Sequence, residues 1–231
     1  AGFVETMQDL DLDARQRARY LGLMQEQARN MQRLVNDLLT LSALESEHHP
    51  AGEERFAILP LVLELSAEAK ALSGDRHAIE LDLREPATVA GSRDEIRSAF
   101  SNLVSNAVRY TPPGGRITLA WRVERSGCGV FAVTDSGIGI AKEHLPRLTE
   151  RFYRVDRSRS RATGGTGLGL AIVKHVLIRH QAELGIASEP GRGSTFSVRL
   201  PPRRVHAGPP VAAEGAGAAP TSTSAPSGTG A

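Results

Sequence analysis

The sequence predicts an α+β chain: an α/β sandwich in which one mixed sheet is covered by helices on one face, preceded by a helix that belongs in a bundle. Three observations predict it. Between about Arg55 and Pro202, helical and strand-like runs are interspersed within one stretch of even composition. The two strand-like runs before Asp135 follow each other with no helix between them, so the sheet is not simply doubly wound. From Leu21 to Leu38, apolar residues recur in alternating steps of three and four, which is a heptad seam.

Taken in order, a short helical piece is expected over Gly2 to Asp9, then a turn over Asp11 to Asp13, with Asp13 placed to cap a long helix. Leu21, Met24, Ala28, Met31, Val35 and Leu38 share one face of that helix, and Arg, Gln, Glu and Asn fill the others. Such a seam cannot stay dry alone, so the helix should pack in a bundle. An ordinary amphipathic helix of a globular domain is the alternative. His48, His49, Pro50 and Gly52 break the pattern and open a linker and entry strand at 50–57. No further clustered ligands accompany the two histidines. The compact domain at 58–202 then reads as a helix (Leu59 to Ala71), strands (Ile79 to Leu83 and Thr88 to Ala90), a helix (Arg93 to Arg109) and two strands (Ile117 to Glu124 and Gly129 to Asp135). A Gly- and Arg-rich loop follows, then a helix (Gly169 to Gln181) and two last strands (Leu184 to Ser188 and Thr195 to Leu200). From Arg203 onward, Ala, Gly, Pro, Ser and Thr dominate, and a disordered tail is expected.

Composition excludes several classes. Apolar residues make up 40% of the 231, enough for a core, while aromatics at 4% leave it to Leu, Val, Ile and Ala. One cysteine, Cys128, excludes an internal disulfide and argues against a thiolate metal site. The net charge of +2 does not predict nucleic-acid binding. No apolar run approaches the roughly 18 residues of a membrane span, so no membrane contact by these residues is expected. The chain opens AGFVETMQDL, without Met, which suggests a piece of a longer protein.

Four segments carry chemistry. Asn102 and Asn106 stand four residues apart, late in a helix, and can offer two amide oxygens on one face to a hard cation. Core-satisfying or capping amides are the alternative. Arg109 and Tyr110 follow on the next turn, suited to a phosphate and a flat ring. Asp135-Ser136-Gly137-Ile138-Gly139 ends a strand, where glycine lets backbone approach a ligand and Asp135 can accept from an adenine amino group. Turns use the same residues. Gly164-Gly165-Thr166-Gly167-Leu168-Gly169-Leu170 opens directly into a helix, an N–H cradle for phosphates beneath a flexible lid, with Arg154 to Arg161 as its basic flank. Gly191-Arg192-Gly193-Ser194-Thr195-Phe196 is a hairpin signal.

In this order, the segments resemble the boxes of the ATP-binding domain of sensor histidine kinases, within the superfamily shared with gyrase, Hsp90 and MutL (the Bergerat or GHKL fold). Asn102 to Tyr110 looks like the N box, and Asp135 to Gly139 like the first glycine box. Glu150-Arg151-Phe152-Tyr153-Arg154 looks like the F box. Gly165 to Gly169 and Gly191 to Phe196 look like the second and third glycine boxes. The runs Leu145 to Asp156 and Gly167 to His175 are similar to the phosphate-regulon branch. The long helix resembles the second helix of the dimerisation and phosphotransfer hairpin, whose end Leu38 to Glu45 typifies, making 1–49 a partial hairpin.

The resemblance implies the ligands ATP and Mg²⁺. Asn106 with Asn102 would hold the metal, and Arg109 and Arg154 the phosphates. Asp135 would read the adenine amino group, Tyr110 would stack on the ring, and Gly137 and Gly139 would adjoin it. Gly165, Thr166, Gly167, Leu168 and Gly169 would form the closing loop, Phe152 would set its position, and Thr195 would complete the site. The activity implied is that of a protein histidine kinase. It transfers the γ-phosphoryl group to a histidine and then to an aspartate on a response regulator receiver domain, within a homodimeric parent at the cytoplasmic face of the inner membrane. The family's acceptor pattern, His followed by Glu or Asp and then Thr-Pro, is absent from all seven histidines. Gly2-Phe3-Val4-Glu5 matches the segment that follows the acceptor, so the chain is expected to begin just past it and not to phosphorylate itself. Related ATPases place a Glu where Asn102 stands, which removes a hydrolytic base. A non-catalytic module, anti-sigma-factor-like or a pseudokinase, is the other reading. The heptad helix and the full set of glycine boxes weigh against it.

Overall fold

A computed structural model describes residues 13–46, 54–155 and 165–208. The expectations for Gly2 to Asp9, for His48 and His49, for the Arg157 to Arg161 part of the basic flank and for the tail beyond residue 208 lie outside these.

Helix α1 (Ala14–Ser46) opens on a reciprocal capping box. The Gln16 N–H donates to Asp13 Oδ1 at 2.7 Å, and the Asp13 N–H donates back to Gln16 Oε1 at 3.1 Å. The seam residues Leu21, Met31, Val35 and Leu38 are solvent-exposed, whereas Leu41 and Leu44 are buried against the following domain. The helix therefore docks by its C-terminal end and leaves its heptad face open.

The domain begins with β1 (Glu54–Ala57) and α2 (Ile58–Ser73), which stops at left-handed Gly74. Then come β2 (Ala78–Leu83), β3 (Ala87–Gly91), α3 (Arg93–Tyr110), β4 (Arg116–Val123) and β5 (Gly129–Asp135). A 3₁₀ turn spans Lys142–Arg147, and α4 covers Gly169–Arg179. The last elements are β6 (Glu183–Glu189), β7 (Gly193–Leu200), a 3₁₀ turn at Pro202–Arg204 and β8 (Val205–Ala207). Five strands form a mixed sheet in the order β2-β4-β5-β7-β6, in which only the β2–β4 pair is parallel. Inward-facing residues of the central strands meet the helices. Phe131 of β5 stacks on Phe100 of α3 at 3.9 Å between ring centroids, and buried Trp121 donates its indole N–H to the Glu85 carbonyl.

Two expectations need correction. There are two sheets, because β1, β3 and β8 make a separate antiparallel one in the order β1-β3-β8. Order also continues past Arg203, since Val205 to Ala207 pair with Ala87 to Val89. Three residues are too few to announce a strand by alternation, and the exposed edge of β3 supplies the partner. Among the described residues, no helix is long and apolar enough to cross a membrane.

Candidate nucleotide site

Helical spacing puts Asn102, Asn106 and Arg109 of α3 on one stripe. The Asn102 amide is engaged: its Nδ2 donates to the Ser98 carbonyl at 2.9 Å. Its Oδ1 faces the start of α4, where a Cβ on Gly169 would stand 2.6 Å away. Gly169 thus lets α4 close on α3. Asn106 is half-buried, and its amide has no partner among the described residues. One turn on, burial holds the Arg109 guanidinium below its ordinary pKa, a hydrogen bond with Tyr110 works against this, and the charges of Arg33 and Arg154 lower it further. A side chain on Gly165 would begin 3.0 Å from Arg109 Nη1 and 3.9 Å from Arg154 Nη2. Two guanidinium groups thus approach the glycine that leads into α4, and the charge of Arg33 also acts on Arg109, an arrangement suited to an anion.

The far end of the site is Asp135, the last residue of β5, which is buried. Burial raises its pKa, opposed by hydrogen bonds from the Gly137 and Ser194 backbone N–H groups; the Gly137 bond is 2.8 Å. The neighbouring glycines admit protein, not open space. A Cβ on Gly137 would stand 2.5 Å from the Tyr110 carbonyl oxygen, and one on left-handed Gly139 only 2.0 Å from that of Glu189. The loop is wedged between the end of α3 and the β6–β7 turn, so packing against protein by itself requires both glycines. Tyr110, 38% exposed, adjoins the loop through its backbone, its carbonyl accepting the Ile138 N–H at 3.3 Å.

Thr195 falls elsewhere. Phe131, Val133 and Asp135 face the helices, as do Ser194 and Phe196, whereas Thr134 and Thr195 face outward and hydrogen-bond to each other at 3.0 Å. Alternation along the strand makes Ser194, not Thr195, the neighbour of Asp135. Phe152 also differs from expectation. Its ring is 56% exposed, and its backbone does the work, with a left-handed φ and an N–H donated to the Gly167 carbonyl at 2.9 Å. The packing aromatic is Tyr153, half-buried against the core, with its hydroxyl 2.8 Å from His144 Nδ1 and Arg147 over its ring.

Sequence reasoning missed three residues of α1. Asp37 Oδ2 accepts from the Thr166 hydroxyl at 2.7 Å, and Thr166 Oγ1 in turn accepts the Leu168 N–H. Glu45 pairs with Arg151 and lies 3.3 Å from His175 Nε2. Arg33 is the third. The heptad reading assigns all three only to polar faces, so nothing local marks them. Leu168 is fully buried and anchors the loop.

Comparison with known proteins agrees with this geometry. Residues 91–204 match the family model described as histidine kinase-, DNA gyrase B- and HSP90-like ATPase. The phosphate regulon sensor protein PhoR of Pseudomonas aeruginosa is 51% identical over 207 residues, 89% of this chain and 46% of that protein. The sensor-like histidine kinase SenX3 of Mycolicibacterium smegmatis is 39% identical over 185 residues, 79% of this chain and 48% of its own length. The chain thus spans about half the length of the curated relatives it matches. The crystal structure of full-length ShkA in complex with AMPPNP superposes with a TM-score of 0.70 at 25% identity, over 87% of this chain and 41% of ShkA. Domains of this kind bind ATP with Mg²⁺, and the guanidinium cluster at Gly165, the open amide of Asn106 and the buried carboxylate of Asp135 fit that ligand. The chain thus carries a GHKL-type histidine-kinase ATPase domain of the histidine kinase-, DNA gyrase B- and HSP90-like family.

Proposed function

We propose that this domain binds Mg-ATP between α3 and α4 and presents it for phosphoryl transfer to a histidine, and from there to the aspartate of a response regulator receiver domain. The observation that carries the reading is the approach of Arg109 and Arg154 to Gly165, one helical turn beyond Asn106, with the charge of Arg33 acting on Arg109. Bound ATP supplies the γ-phosphoryl group, and Mg²⁺ offsets its charge. Asn106 offers an amide oxygen to the metal, seconded by the Asn102 oxygen. Arg109 and Arg154 donate to phosphate oxygens, and Gly165 to Gly169 border them with Thr166 and Leu168 pinned. Asp135 accepts from the adenine amino group, with Gly137 and Gly139 shaping its loop, and Tyr110 covers the ring. Positioning and charge neutralisation do most of the catalysis.

Asn102 cannot act as a base, which disfavours a hydrolytic reading. Among the described histidines, His77 and His180 have both ring nitrogens hydrogen-bonded. None has the acceptor's sequence context, so the acceptor is placed in another segment or another chain. The exposed seam of Leu21, Met31, Val35 and Leu38 supports a homodimer through α1. The parent is placed at the cytoplasmic face of a membrane as a sensor.

Calorimetry with Mg-ATP on the chain and on Asn106→Ala tests the reading. Mg²⁺-dependent binding that weakens at least tenfold in the variant is expected. Equal affinity in both would remove Asn106 from the metal, and no binding by the folded chain would leave a pseudokinase.

A further inference from the structure

A second basic site lies on the small sheet, away from the nucleotide residues. Register sets its walls. Arg55 of β1 pairs with Ala90 of β3, and His206 of β8 pairs with Thr88. Alternation puts Arg55, Ala90 and His206 on one face, opposite the apolar face of Phe56, Val89 and Val205. Ala90 is small and leaves a hollow of about 190 Å³ above β3, closed by Gln181, Arg203 and Arg204.

The unusual member is Arg204. It is only 6% exposed. Its Nη1 donates to the Ala90 carbonyl at 3.0 Å, but its Nε is buried with no hydrogen-bond partner. No carboxylate of the described residues pairs with Arg204, Arg203 or Arg55, and none lines the hollow. Arg203 instead donates to the Gln181 side-chain oxygen. A guanidinium taken from water is normally matched by an anion and by bonds to its remaining N–H groups. Here the matching charge has to come from outside the described residues. Arg204, Arg55, Arg203 and His206 approach the hollow from different strands and turns, which suits an acceptor with oxygens in several directions better than a planar carboxylate.

We propose that this hollow binds a compact tetrahedral oxyanion of phosphate or sulfate type, gripped by Arg204 with Arg55, Arg203 and His206 at its rim. The site is separate from the Mg-ATP site and does not rest on that assignment. Binding there ties β8 to β1 across β3, and so fastens the last strand to the entry strand.

The test is a residue-resolved NMR titration of the 231-residue chain with sodium phosphate, sodium sulfate and sodium acetate, each against sodium chloride at matched ionic strength. Saturable shifts of the Arg204 Nε–H and the His206 ring are expected with phosphate and sulfate. The His206 shift should vanish in Arg204→Met, and both shifts should need at least tenfold more anion in Arg55→Ala/Arg203→Ala. Because those two side chains are exposed, the double variant decides the matter if Arg204→Met fails to fold. Unchanged affinity in the double variant, equal shifts in chloride, or acetate binding as tightly as phosphate would each overturn the proposal. Phosphoserine titrated in parallel separates a free anion from a phosphate group carried by a larger molecule, and binding of either through Arg204 supports the site.

Discussion

At the scale of single residues, the strand pleat decides which hydroxyl and which carboxylate serve the site. Asp135 and Ser194 face the helices, and Thr195 faces away with Thr134. Asp135→Asn removes a charged acceptor and should weaken Mg-ATP binding by about 1.5–3 kcal/mol, the worth of a hydrogen bond to a charged group. Thr195→Val should leave affinity within about twofold, since it removes only a hydrogen bond between two outward hydroxyls. Calorimetry on the two variants checks the ranking, and the reverse order would move adenine recognition to the outer face. Sequence reading found Asp135 because an acidic residue at a strand end before two glycines is a local pattern. It put Thr195 in the site because a hairpin motif does not reveal which of two adjacent residues faces inward.

At the scale of elements, α3 and α4 are joined at one end by a charge clamp. Ser92 caps α3, its Oγ accepting the Glu95 N–H at 3.3 Å. The sequence pattern would turn Glu95 back onto the Ser92 N–H. That donor instead goes to His180 Nε2 at 3.1 Å, and Glu95 takes Arg179 of α4 through two hydrogen bonds of 3.0 Å. The side chains of this pair are only 10% and 19% exposed. Glu95→Ala removes two charge-assisted hydrogen bonds from a largely buried guanidinium and should lower unfolding stability by about 1.5–3 kcal/mol in urea denaturation. A double-mutant cycle with Arg179→Ala should recover part of that loss, and strict additivity would show that the pair is not coupled. The helices themselves were legible within about two residues at either end, because heptad and 3.6-residue periodicity is a local signal. Their clamp was not, since its partners are 84 residues apart in sequence.

At the scale of the whole molecule, buried titratable groups set the pH dependence of stability. His180 is fully buried; its Nδ1–H donates to the Val176 carbonyl, and its neutral Nε2 accepts the Ser92 N–H. Burial holds its pKa below the ordinary histidine value, partly opposed by the Val176 bond and the Glu95 charge. A depressed folded pKa means that the neutral form is favoured on folding. This stabilisation is present above the unfolded value of about 6.5 and is lost as pH falls through the folded value. Asp135 has the opposite sign. Its raised pKa gives a contribution that is present below about 3.8 and lost as pH rises through the folded value. Urea midpoints should therefore fall from pH 7 toward pH 5, and His180→Asn should be less stable at pH 7 with a flatter pH slope. An unchanged slope would mean that His180 does not titrate in that window.

The features readable from the chain alone were local: an α/β sandwich with a mixed sheet, a heptad helix, and the residues Asn106, Arg109, Asp135 and the Gly165 to Gly169 loop as chemistry-bearing types at helix and strand ends. Periodicity, glycine spacing and charge are carried by neighbouring residues and can be read without a fold. The second sheet and the ordered strand after Arg203 emerged only in three dimensions. So did the gathering of Arg33 with Arg109 and Arg154, and the burial of Arg204 in the hollow above Ala90. Each of these joins residues far apart in the chain, and their energies depend on burial and distance, which sequence spacing does not encode.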